Sequence, residues 1–189
     1  MACVMTLGAL AWGARGDAHR SSDLMLTARA LGPVSLCASL DSAGTLIAPY
    51  VNGGVRATTF TGEDESRWPG RVATLAGGGT VDFESSWADS SRVWRASTTA
   101  REVRTTHGAR VQDLVDNLPP ESGPVAIEIT EGQVVLRLAG NGVAALIDSG
   151  AERGMLAASE HDARPLVIPR GARIRRLVAA GDCRASAPR

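Results

Sequence analysis

Gly123-Pro124-Val125-Ala126-Ile127-Glu128-Ile129-Thr130-Glu131-Gly132-Gln133-Val134-Val135-Leu136-Arg137-Leu138 decides the fold class of this chain. Val125, Ile127 and Ile129 alternate with Ala126 and Glu128, the period of two expected of a strand with one apolar face. A second apolar run, residues 134–138, follows across Glu131-Gly132-Gln133, which reads as a hairpin turn. Downstream, residues 143–147 predict a third strand. Residues 166–168 and 174–178, flanking Pro169-Arg170-Gly171, predict a fourth and a fifth. Upstream, residues 34–40, 45–51 and 79–83 have strand character. Turn signals such as Asn52-Gly53-Gly54, Trp68-Pro69-Gly70, Gly77-Gly78-Gly79 and Gly140-Asn141-Gly142 punctuate the chain at strand-length intervals. The pattern predicts a mostly-β sandwich or barrel. It also predicts one short helix, where Val111, Leu114, Val115 and Leu118 recur at helical spacing before Pro119-Pro120 stops the run.

These elements divide the chain into a β domain at residues 99–180, a less defined β-rich half at residues 1–98, and a disordered tail at residues 181–189. Acidic residues 62–66 read as an exposed loop, and residues 85–95 as a linker between the halves.

Composition narrows the function classes. The chain has 189 residues, 44% apolar and 21% charged, which is the balance of a globular protein rather than a disordered one. The formal net charge is zero, which argues against general nucleic-acid binding. Every basic residue is Arg. Aromatic residues make up 4%, so the core is built from Val, Leu, Ile and Ala, with few platforms on which bases could stack. Cys3, Cys37 and Cys183 are odd in number, widely spaced and free of CxxC. That pattern indicates neither a disulfide framework nor a zinc site, and fits a reducing, intracellular location in cytoplasm or nucleus. His19, His107 and His161 form no metal-binding spacing. Met1 to Trp12 is apolar, lacks a basic flank and is too short to span a bilayer. It reads as a first strand or short buried helix; a signal peptide cleaved near Ala11-Trp12-Gly13-Ala14 is the alternative.

The sharpest chemical signal is Ala145-Leu146-Ile147-Asp148-Ser149-Gly150. A buried strand that runs into an Asp places a carboxylate at the strand's open end, where a general base is often found. The bland reading is an Asx turn that ends the strand.

Roughly sixty residues around this string resemble the dUTPase superfamily. Gly123-Pro124-Val125-Ala126-Ile127-Glu128-Ile129-Thr130-Glu131-Gly132 is similar to that family's strand-and-turn T-G-I-x-I-E-I-P-E-G. Leu146-Ile147-Asp148-Ser149-Gly150-Ala151-Glu152-Arg153-Gly154 is similar to its third motif, with one extra residue before Arg153-Gly154. Residues 165–178 resemble its fourth, P-F-V-I-x-x-G-D-R-I-A-Q-L-V. Val72-Ala73-Thr74-Leu75-Ala76-Gly77-Gly78-Gly79-Thr80-Val81 is similar to a Gly-rich strand of the herpesviral branch, a group of viral proteins in which the gene is duplicated. Residues 135–151 also resemble the strands and D-[ST]-G-A loop of retroviral-type aspartic proteases, which share a proton between two Asp residues of a dimer. Asp41-Ser42-Ala43-Gly44 is a poor second copy of that loop.

The dUTPase resemblance implies a jelly-roll body and hydrolysis of dUTP to dUMP and pyrophosphate, with Mg²⁺ carried on the nucleotide. It implies that Asp148 orients the water, and that Ser149, Gly150, Arg153, Gly154 and Arg173 contact the substrate. It also implies a homotrimer, or a monomer where the gene is duplicated. The chain departs from the pattern in several places. Ala151 or Glu152 stands where a Tyr excludes ribose, the phosphate-gripping R-S-S is absent, and Ala172 replaces the fourth-motif acid. Each lost charge-positioning group is worth roughly 2–4 kcal/mol of transition-state stabilisation. The sequence therefore favours a degenerate, non-catalytic relative that binds a deoxynucleotide or a protein partner, over an active dUTP diphosphatase or an aspartic protease, and implies no membrane association. Arg170, Arg173, Arg175 and Arg176 form a basic cluster, read either as a solvated edge or as a phosphate contact.

Overall fold

In the computed structural model, residues 23–62, 64–130, 132–140, 142–161, 166–181 and 183 are described. Three two-residue strands, β1 (Met25–Leu26), β2 (Ala30–Leu31) and β3 (Val34–Ser35), precede helix α1 (Leu40–Ile47). Strands β4 (Val51–Thr61), β5 (Arg67–Leu75), β6 (Thr80–Glu84) and β7 (Arg95–Thr98) form an antiparallel meander. Strand β8 (Arg104–Thr105) pairs parallel with β1. A second meander comprises β9 (Pro124–Thr130), β10 (Gln133–Leu138), β11 (Ala144–Ile147) and, after helix α2 (Ser149–His161), β12 (Ile174–Ala180).

The meanders join through their last strands. Thr98 lies opposite Leu177 and Ser97 opposite Val178, giving one eight-stranded antiparallel sheet in the order β4-β5-β6-β7-β12-β11-β10-β9. A small sheet, β3-β2-β1-β8, packs on β7 and β12; α1 lies against β4, β5 and β6, and α2 against β10. Together they enclose one apolar cluster that includes Leu26, Leu31, Ile47, Phe83, Leu136 and Leu177, all fully buried. Burying each such side chain is worth roughly 1.5–3 kcal/mol. The chain is therefore mostly β with two sheets, consistent with a β-sandwich. Within the large sheet each half is a meander, while the connection from β7 to β9 crosses the second half, so that β12 returns to lie beside β7. Residues 98 and 99 mark no gap in it, because β7 from the first half is hydrogen-bonded to β12 from the second.

Four expectations fail for physical reasons. Of residues 34–40 only Val34–Ser35 is strand, because the chain turns after it and Ser39 caps the helix that begins at Leu40. The helix predicted at residues 111–118 is only a 3₁₀ turn, Val115–Asn117. Gln112 takes a positive φ of 74°, and the amides of Gln112 and Val115 donate to the carbonyls of Ile174 and Ala172. The segment thus spends its hydrogen bonds on the β12 region instead of on its own turns. Residues 45–51 are not a strand. Ser39 caps α1, its Oγ accepting from the Ser42 amide at 3.1 Å, and Leu40, Ala43 and Ile47 are the buried face. Residues 166–168 are not a strand either: Leu166 and Ile168 settle on the core while Val167 faces solvent.

The cysteine reading is also corrected. Cys37 and Cys183 form a disulfide across 146 residues of chain, with Cα atoms 5.3 Å apart. The folded chain brings them together around one short segment. Cys37 donates its amide to the carbonyl of Val93, and Gly181 donates its own to Trp94. Chain spacing carried no sign of this. The bond removes the ground for expecting a reducing location, and it ties down Cys183, part of the tail expected to be disordered; residues 184–189 lie outside the described residues, as do Met1–Trp12. A crosslink closing so long a loop restricts the unfolded chain strongly. Reducing the disulfide, or replacing Cys37 with Ser, should cost about 2–5 kcal/mol, read as a lower urea midpoint; an unchanged midpoint would show that the bond does not form.

Candidate functional site

Asp148 stands where β11 ends and α2 begins, and both of its carboxylate oxygens are engaged. Oδ1 accepts from the Ala151 amide at 3.1 Å, which makes Asp148 the N-cap of α2. Oδ2 accepts from the Arg173 amide at 2.9 Å, while the Asp148 amide donates to the Arg173 carbonyl at 2.9 Å. A bulge makes this reciprocal latch possible: the β11–β12 register shifts between Leu146, opposite Arg176, and Ile147, opposite Ile174. The Arg173 amide, and after it the Ala151 amide, hold the Asp148 carboxyl below its usual value of 3.8. A carboxylate held in its anionic form by backbone donors is a weak proton acceptor and a strong structural clip.

The other sequence-predicted residues do not converge on it as a substrate cradle. Ser149, Gly150, Arg153 and Gly154 lie on the exposed side of α2. Arg173 meets Asp148 through its backbone, and its guanidinium donates to the Gln112 carbonyl at 3.0 Å. Glu152, the extra residue of the third-motif string, is buried. It accepts from the Val134 amide at 3.2 Å and pairs with Arg175 at 3.0 Å. The basic cluster is dispersed, because Arg175 reaches Glu152 under α2 whereas Arg176 crosses the other face of the sheet to Asp82 at 2.9 Å.

That other face holds a polar cluster that sequence reading passed over. In β6, Val81 and Phe83 enter the core, so Asp82 and Glu84 point the opposite way, yet both are buried. Arg176 bonds Asp82 and, at 3.2 Å, the Ser97 hydroxyl. Glu84 pairs with Arg95 at 3.6 Å and accepts from the Trp68 indole at 3.4 Å. Burial raises the Glu84 carboxyl above 4.5, an effect that Arg95 partly offsets. The available signal was the alternation Val81-Asp82-Phe83-Glu84 itself, two acids on one strand face. Two acids matched by two arginines make an ion-pair network, in which the Arg95 Nε stays without a hydrogen bond. Among the described residues, no three His, Cys, Asp or Glu are grouped to hold a metal ion, and no helix is long and apolar enough to cross a membrane.

The third feature is the edge of the sheet at β9, beyond which no strand lies among the described residues. Val125 is 69% exposed, Ile129 41% and, alongside, Val167 76%. Pro124, Val125, Ala126, Ile127, Leu166 and Ile168 line a shallow, mostly apolar groove of about 420 Å³. Ile127 and Ile129 lie opposite Leu136 and Val134, both fully buried, so the core face of the sheet reaches solvent here. Glu128 and Arg137 form an exposed ion pair at 3.0 Å on the opposite face.

No protein-family model and no curated protein matches this chain. Among solved structures, the uncharacterized protein YfeY from Escherichia coli is similar in fold. It superposes with a TM-score of 0.54 over 83% of this chain and 99% of its own, at 9% identity. The likeness concerns the fold alone and does not bear on a dUTPase or protease activity.

Replacing Asp148 with Ala should destabilise the chain by about 1 kcal/mol at neutral pH through the lost cap. A lowered folded-state pKa contributes stability above the unfolded value of 3.8 that is lost as pH falls through the folded value. Urea titrations of wild type and variant should therefore converge toward pH 2; a gap that persists in strong acid would contradict the carboxylate latch. Glu84 acts with the opposite sign. Its raised pKa makes the folded chain hold that proton more tightly, so its contribution falls as pH rises from 4.5 through the folded value.

Proposed function

We propose that this chain is a non-catalytic binding protein that takes up an extended polypeptide segment along β9. The observation that carries the reading is the β9 edge, beyond which no strand lies among the described residues and which adjoins an exposed apolar groove. A sheet edge of this kind offers main-chain hydrogen bonds for affinity and alternating side-chain contacts for selection. The arrangement around Asp148 supports the non-catalytic half of the proposal, since the carboxylate that would orient a water in a dUTPase-related enzyme already serves two backbone amides. On this reading the string Asp148-Ser149-Gly150 is a strand-to-helix joint. The Cys37–Cys183 bond fits work in an oxidising compartment.

With dUTP and Mg²⁺ the chain should release no pyrophosphate, and calorimetry with a non-hydrolysable dUTP analogue should register no binding heat. Robust turnover abolished by Asp148→Asn would establish the diphosphatase instead. An extended valine–threonine peptide should bind the chain and slow amide hydrogen exchange in β9; a peptide that leaves those amides unchanged would remove the polypeptide-binding reading.

A further inference from the structure

The two ends of the large sheet are finished differently. At one end β4 carries Asn52, Gly53, Gly54 and Arg56, and its pairing with β5 shifts register between Val51 and Val55. Charge and irregularity of that kind discourage edge-to-edge pairing. At the other end β9 keeps its register against β10 from Thr130 opposite Gln133 to Ala126 opposite Arg137; only then does it shift, with Pro124 opposite Leu138 and Val125 left between the two pairs. Its core-face residues are Ile127 and Ile129, opposite Leu136 and Val134, and the bulge and proline are confined to its first two residues, Pro124 and Val125. Only Glu128 is charged, and it lies on the opposite face, beside Arg137.

The β9 sequence is self-complementary about Ile127. A second β9 running antiparallel, centred on that residue, would set Ile127 against its own copy and Val125 against Ile129 of the other chain. These contacts are all apolar, and the one at Ile127 continues the layer formed by Val134 and Leu136. The opposite face is matched in charge. Arg137 lies opposite Ala126 within the chain, so the row across the junction reads Arg137, Ala126, then Glu128 of the second chain. The two-fold axis repeats this row in reverse. Only an alanine separates each arginine from the other chain's carboxylate, and the four charges alternate in sign. Sliding the centre to Glu128 would instead oppose two carboxylates, which disfavours that register. We propose that the polypeptide seated on β9 is the β9 strand of a second copy of this chain, so that two eight-stranded sheets join about a two-fold axis into one. The proposal rests on the preceding reading of β9 as a strand-accepting edge and names its occupant. It takes the place of the trimer or monomer implied by the dUTPase resemblance.

Sedimentation equilibrium of the oxidised chain tests it. The wild type should dimerise by roughly 100 µM, as expected of a micromolar edge contact. Val125→Lys should raise the dissociation constant about tenfold or more while leaving the thermal midpoint in place, because the residue is exposed in the single chain. Glu128→Arg and Arg137→Glu should each weaken self-association, and an equimolar mixture of the two variants should recover it by restoring both charge rows. A wild type that stays monomeric overturns the second-copy proposal, as does a dimer indifferent to Val125→Lys or a mixture that does not recover. A monomer that still takes the valine–threonine peptide on β9 leaves the strand-accepting reading standing; one that takes nothing there removes both.

Discussion

The pairing of β7 with β12 is the contact on which the rest of the structure depends. Each meander alone is a four-stranded sheet with two open edges and an apolar face too small to cover itself. Joined, they present one face wide enough for α1, α2 and the small sheet to enclose a continuous core. Both faces of the seam contribute. On the core side Thr98 and Leu177 lie opposite one another, fully buried. On the other side the Asp82–Arg176 pair spans β7, with Ser97 beneath it. The disulfide closes the far end, where Val93 and Trp94 receive amides from the two flanking segments. Hydrogen-bonded ladder, ion pair and covalent bond thus act along one line. Breaking any of them would leave buried groups unpartnered, which is costlier than losing an exposed contact.

Asp148 is the second organising point. Strand β11 is buried along its whole length, so the carboxylate at its end is positioned firmly. The β11–β12 bulge then aims the Arg173 amide at it, and the first turn of α2 supplies another donor. An aspartate at a strand end followed by serine and glycine can serve as a general base or as a helix cap. Which role prevails depends on whether other backbone amides arrive to occupy its oxygens, and here two do.

The exposed side of the fold concentrates at β9. A strand whose inner face continues the core and which has no further strand beyond it among the described residues sits between folding and association, since the same apolar pattern that packs it on β10 invites another strand beyond it. The Glu128–Arg137 pair on the opposite face adds selectivity rather than much stability, as expected of an exposed ion pair.

The amino-acid sequence by itself determined β9, β10, β11, the body of β12 and β6, because alternation reports directly which side chains face a core and which face away. It also located Asp148 at the end of a strand. It misled at residues 111–118, where helical spacing of valine and leucine yielded to hydrogen bonds with the β12 region. At residues 40–47 the Ser39 cap and the spacing of Leu40, Ala43 and Ile47 were present but were overshadowed by β-branched neighbours. The role of Asp148, the joining of Cys37 to Cys183, the pairing of Asp82 with Arg176 and the openness of β9 were decided only by tertiary structure. Each depends on residues roughly twenty-five to 146 positions apart being brought within bonding distance, or on no strand lying beyond the last one among the described residues. Local sequence encodes the preferences of a segment; its partners are set by how the whole chain closes around the core.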